Sequence, residues 1–142
     1  MAAKEIKLKK QPEHYWREKL TKEQYDSCRR GLTETPFTGE YNDNFEEGSY
    51  HCVACGHELF KSDKKIDVGS GWPTFWAAIY ANIVEKLDNS LGFERIEIKC
   101  KKCGSHLGHL FWGGPEVVPD GRETTGRRYY INSASLTFEQ TK

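Results

Sequence analysis

The sequence predicts one small, mainly β domain preceded by short helices. Helix signals end at Gly31, and beyond it short segments punctuated by Gly, Pro, Asn and Asp take over. Two Cys-x-x-Cys-Gly pairs, Cys52/Cys55 and Cys100/Cys103, then require distant stretches of chain to meet. At 142 residues the chain fits a single domain. The expected division is a flexible N-terminal arm over residues 1–11, with four lysines, and one domain over 12–142. An aromatic content of 13% is too high for a disordered chain.

From Pro12 to about Arg30 the texture is helical. Pro12 suits a first helical turn, and Thr21-Lys22-Glu23-Gln24 matches a capping box opening a second short helix. Tyr15, Trp16, Leu20, Tyr25 and Cys28 form its apolar face. The clearest strand is Arg95–Cys100, where Ile96, Ile98 and Cys100 alternate with charges as on a half-buried sheet, while Phe93 falls out of phase. Arg128 to Asn132 reads as another, with Arg128, Tyr130 and Asn132 on one face.

Charge and hydropathy exclude whole classes of function. Twenty-one Lys+Arg balance 21 Asp+Glu, which removes the broad electrostatic footprint of a nucleic-acid binder, so Lys99, Lys101 and Lys102 read as a solvated face. No apolar run approaches the ~18 residues of a membrane span. The first residues carry no secretory pattern, so the expected compartment is cytoplasmic.

Five cysteines, four of them in the twinned pairs, suit a metal site with one spare thiol, Cys28. Two residues between thiolates let one tight knuckle offer both sulfurs to one ion, and the following Gly56 and Gly104 relieve crowding where the backbone turns. Four soft thiolates select zinc and leave no open position, so Cys52, Cys55, Cys100 and Cys103 make a structural site. With 44 residues between the pairs, the ion should clip two distant hairpins together. An iron site with the same sulfurs and a pair of redox disulfides are the alternatives.

Three further segments carry candidate chemistry. Trp72, between Gly71 and Pro73, can present an indole face in a pocket, although an aromatic core turn reads the same way. His106 and His109 follow the second knuckle directly, so the knuckle positions both imidazoles for acid/base or orienting work, or they pack structurally. Arg128, Tyr130 and Asn132 suggest a polar pocket floor, against the plainer account of a Tyr-rich edge strand.

In order, Cys52-x-x-Cys55, Gly71-Trp72-Pro73-Thr74-Phe75, Cys100-x-x-Cys103-Gly104-Ser105-His106-Leu107-Gly108-His109 and Arg128-Tyr129-Tyr130-Ile131-Asn132-Ser133-Ala134-Ser135 resemble the B-type methionine-R-sulfoxide reductases over roughly residues 12 to 139. The resemblance implies two antiparallel β-sheets with N-terminal helices, a four-thiolate zinc away from the active site, and repair of methionine-R-sulfoxide in proteins or peptides. A cysteine thiolate attacks the sulfoxide sulfur, a second cysteine closes a disulfide, and thioredoxin restores the thiols. At the matched positions Trp72 would hold the substrate methyl, His106, His109 and Asn132 would orient the sulfoxide and help protonate its oxygen, and Arg128 would bias a thiol toward thiolate. A monomer is expected.

The sequence departs from the pattern at one position. Tyr130 stands where the nucleophilic cysteine belongs, and a phenol with a reference pKa of about 10 cannot cycle through sulfenic acid and disulfide. Cys28 is the remaining candidate resolving thiol, with Arg29 and Arg30 expected to lower its pKa, against the plainer account of a buried helix cysteine; its persistence favours a recent loss of the nucleophile. The alternative is a noncatalytic zinc-stabilised module that binds peptide or oxidised methionine through Trp72 and the histidines.

Overall fold

The computed structural model describes residues 8–141. Of the expected arm, residues 1–7 lie outside the described residues, while Leu8 packs against the core. Helix α1 (Glu13–Lys19) starts after Pro12, which sits at the N-cap position in extended conformation instead of inside the first turn. Helix α2 (Lys22–Cys28) begins with the capping box that its sequence specifies. Thr21 Oγ1 accepts from Gln24 N at 3.2 Å, and Gln24 Oε1 accepts from Thr21 N at 2.9 Å. Both helices turn one apolar face inward, burying Trp16, Leu20, Tyr25 and Cys28.

Nine short strands follow among the described residues: β1 (Gly48–Cys52), β2 (Glu58–Lys61), β3 (Lys65–Ile66), β4 (Thr74–Phe75), β5 (Ile83–Asp88), β6 (Arg95–Cys100), β7 (His106–Trp112), β8 (Arg127–Ile131) and β9 (Leu136–Gln140). They form two antiparallel sheets, β2-β1-β9 and β3-β4-β8-β7-β6-β5. In β6 Ile98 and Cys100 are buried while Arg95, Glu97 and Lys99 stay partly exposed, as alternation requires. Phe93 lies just outside, exposed. Strand β8 spans 127–131, so Asn132 is the first residue of the turn beyond it.

The core joins sheet to sheet and helices to both. Tyr50 of β1, Phe60 of β2, Phe75 of β4 and Tyr129 of β8 are fully buried, with Phe60 stacked on Phe75 at 4.3 Å between centroids. Each such ring contributes roughly 2–3 kcal/mol by burial. No helix among the described residues is long and apolar enough to cross a membrane.

Candidate active site and metal centre

The larger sheet sets functional side chains side by side through strand register. Thr74 of β4 faces Tyr130 of β8, Tyr130 faces His109 of β7, and His109 faces Glu97 of β6. Gly108 lets β7 and β8 approach, since a Cβ there would lie 1.9 Å from Tyr130 O. In a regular strand His106 and His109, three apart, point to opposite faces. A bulge at Leu107 changes that parity: Ile98 pairs with Gly108 but Lys99 pairs with His106. The two imidazoles therefore lie together, 5.3 Å between ring centroids.

Each imidazole leans on a carboxylate. His106 Nδ1 and Glu97 Oε2 are 2.6 Å apart, and His109 Nε2 and Asp88 Oδ2 are 2.8 Å apart. The His109 bond, helped by Ser90 and Arg95, holds the Asp88 carboxyl well below the usual carboxylate range; the His106 bond lowers Glu97. Burial nevertheless outweighs Asp88 at His109 and lowers its pKa, so the neutral imidazole is favoured, with its second nitrogen free to take a proton. Sequence reading missed both carboxylates. The in-phase charges of β6 were the available signal for Glu97, whereas Asp88 sits 21 residues from its partner.

A cavity of about 190 Å³ is lined by Trp72, Arg95, His109, Phe111, Tyr130 and Asn132, together with Thr33 and Gly108. His106 stands behind His109 and is not among its lining residues. Trp72 and Phe111 flank the Tyr130 ring at 6.2 and 5.2 Å between centroids. Arg128 Nη1 donates to the Tyr130 hydroxyl at 2.8 Å and Nη2 to Trp112 O at 2.8 Å, so its charge is directed at residue 130. Phe111, Arg95 and Thr33 complete the wall without any motif to mark them.

Thr33 brings the segment after α2 into the wall. Asn132 Nδ2 donates to Leu32 O and to Ser27 Oγ, both at 2.8 Å, and its Oδ1 accepts from Glu34 N at 3.2 Å. Glu34 O in turn accepts from Trp72 Nε1 at 3.0 Å, and its Oε1 accepts from Ala134 N at 3.0 Å. Asn132 thus spends its amide on fixing this wall. Cys28, the last residue of α2, does not line this cavity; it is 2% exposed, with Sγ 3.6 Å from Ser135 Oγ. Contrary to expectation, its pKa is not lowered: burial pushes it up to about 11, and Arg29 offsets that only weakly. Arg29 is instead spent on Cys103 O and on the face of Trp16.

The four knuckle cysteines come together as their spacing demands. Their sulfurs all lie within 4.8 Å of one another, with Cys52–Cys103 and Cys55–Cys100 both at 3.6 Å. A tetrahedral ion with metal–sulfur bonds of about 2.3 Å needs edges of roughly 3.8 Å. The two knuckles match bond for bond: Gly56 N donates to Cys52 O and Gly104 N to Cys100 O, both at 2.8 Å, with φ of +82° and +78°. One knuckle joins β1 to β2 and the other β6 to β7, so the ion links the two sheets.

A family model, the SelR domain, matches residues 20–140. The chain belongs to the SelR family. The peptide methionine sulfoxide reductase MsrB of Chromohalobacter salexigens is 50% identical over 127 residues, covering 89% of this chain and 91% of that protein. The MsrB of Pseudomonas aeruginosa is 51% identical over 122 residues, 85% and 87% of the two chains. A crystal structure of the Mis18 'Yippee-like' domain shares the fold, at TM-score 0.51 and 16% identity, covering 68% of this chain and 99% of that one. The sulfur tetrahedron is the structural zinc site of this SelR domain: four thiolates fill the shell, leaving no position for substrate or water.

Proposed function

We propose that this chain is a peptide methionine-R-sulfoxide reductase scaffold that retains the pocket for the oxidised side chain and requires a cysteine at position 130 for turnover. The observation that carries the reading is the setting of Tyr130, between Trp72 and Phe111, opposite His109 in register, with Arg128 on its hydroxyl at 2.8 Å. A thiol there would be biased toward thiolate by Arg128 and would face a sulfoxide whose methyl rests on the Trp72 and Phe111 rings. Attack on the sulfoxide sulfur, with a proton from solvent taken up at the free nitrogen of His109 and passed to the sulfoxide oxygen, would release methionine and leave a sulfenic acid at 130. A second thiol would then displace water to give a disulfide, and two electrons from thioredoxin would restore both thiols.

Cys28 is the proposed second thiol, on a monomer working in the cytoplasm. Since it is buried and its thiol is raised, α2 must open locally before it reacts. A compartment where thiols stay reduced suits a chain that commits four cysteines to a metal.

The test compares the chain as it stands with Tyr130→Cys, with and without Cys28→Ser, on dabsyl-methionine-R-sulfoxide. Expected are no turnover for the parent, turnover for Tyr130→Cys with dithiothreitol, and loss of the thioredoxin-driven rate alone when Cys28 is also replaced. If Tyr130→Cys stays inactive while the sulfoxide still binds, the chain is the noncatalytic peptide-binding module instead, a reading favoured by a pocket that keeps three aromatic walls.

A further inference from the structure

Trp72 lines a second cavity besides the sulfoxide pocket. This one, about 280 Å³, is walled by Phe37, Asp43, Phe45, Asp67 and Val68 together with the indole. Phe45, Ile66, Asp67 and Val68 also line a third and larger cavity, about 760 Å³, closed on the far side by Val117 and Val118. Trp72 is common to the first two cavities and Phe45, Ile66, Asp67 and Val68 to the second and third, so the three lie in series along a groove that starts at residue 130.

We propose that this groove holds the residues flanking the oxidised methionine in an extended polypeptide, and that it selects chains carrying basic residues there. The inference rests on the reductase reading and adds the substrate class. Its apolar part is exposed: Phe37 is 68%, Phe45 51% and Val68 37% accessible. An aromatic surface of this kind receives the stem of a lysine or arginine side chain and attracts its charge.

The charge of the groove gives the sign. Among the described residues, Asp43 and Asp67 make no salt bridge. Two cations line the groove. Arg122 pairs with Asp120 at 2.8 Å and Asp63 at 3.6 Å, whereas Lys65, buried with Nζ donating to Tyr41 O and Asn44 O and lying 4.5 Å over the Phe45 ring, acts on Asp43 and Asp67 together, one cation against two carboxylates. One negative charge is thus left unmatched in the cavity that Trp72 also lines, and a cation on the bound chain completes it. An extended chain advances about 3.3 Å per residue, so near neighbours of the oxidised residue reach this cavity.

The experiment measures KM for Tyr130→Cys on methionine-R-sulfoxide peptides flanked on both sides by lysines or by glutamates, with N-acetyl-methionine-R-sulfoxide amide as the minimal substrate. At low ionic strength the lysine peptide should show a KM about three- to fivefold lower, the size of effect expected from exposed charge pairs. Asp67→Asn, which keeps the Oδ1 acceptor for Gly69 N at 3.1 Å, should at least halve that ratio. Because the readout is a ratio on one protein, partial loss of folding cancels. Turnover of the minimal substrate with equal KM for both peptides, or a ratio untouched by Asp67→Asn, overturns the inference alone. Failure to turn over the minimal substrate overturns the reductase reading and the inference with it.

Discussion

Tyr130 and His109 face each other across β7 and β8, yet their surroundings differ in kind. Tyr130 sits against aromatic rings and a guanidinium, whereas His109 is backed by a carboxylate that is itself paired with Arg95 at 3.2 Å. This second arrangement makes the site acid-sensitive, and both groups act with one sign. His109 titrates below the ordinary 6.5 when folded, so unfolding takes up a proton as pH falls through and below 6.5, and stability drops. Asp88 is also depressed when folded, and its contribution, complete above about 3.8, is lost as pH falls through its lowered value. Urea midpoints should therefore fall in two stages between pH 8 and pH 2. Asp88→Asn should cost about 1.5–3 kcal/mol at pH 7, the worth of a hydrogen bond to a charged group, and abolish the lower stage. An unchanged lower stage would mean that other carboxylates carry the acid response.

Helix α2 is only seven residues long, and helices of that length are not stable on propensity alone. Its capping box and its buried contacts hold it. Ser27 Oγ meets Ser135 Oγ at 2.6 Å, and Ser135 Oγ donates to His106 O at 2.8 Å, so the helix is tied to the strand that carries the histidines. Thr21→Ala removes the cap and should cost about 1 kcal/mol in urea unfolding. The same substitution should speed labelling of Cys28 by a thiol reagent, followed by mass spectrometry of the zinc-loaded protein, because exposure of Cys28 requires α2 to open. A cap loss that lowers stability without changing Cys28 labelling would show that the thiol is released by another motion.

Chelation tests whether zinc, beyond the aromatic core, is needed to hold the two sheets as one body. A structural zinc site supplies roughly 10–16 kcal/mol in isolated zinc-finger peptides, which equals or exceeds the whole net stability of about 5–15 kcal/mol of an ordinary domain. Removing the ion with a strong chelator should therefore abolish the cooperative thermal transition and the near-ultraviolet circular dichroism from the packed Phe75–Tyr50–Tyr129 region. Restored zinc should recover both. A chelated chain that still melts cooperatively would place the cohesion in the aromatic core instead.

Much of this molecule was legible in local pattern. The knuckles follow from two cysteines and a glycine within five residues, the α2 cap from four residues, and β6 from its alternation, because each is settled by interactions along the chain. The site was legible only by type. Trp72, His109 and Tyr130 came from motifs, but Asp88, Phe111 and Glu34 support the pocket, and Glu97 holds His106, through register and long-range hydrogen bonds. Cys28 shows the limit most sharply: neighbouring arginines argued for an activated thiol, while packing of the last turn of α2 against the core buries it and raises its pKa. Sequence determined which groups are present and how each short element begins and ends. Tertiary structure decided which of them meet and which are kept from water, because a single bulge at Leu107 sets the face on which His106 lies and burial outweighs neighbouring charge in fixing a proton's affinity.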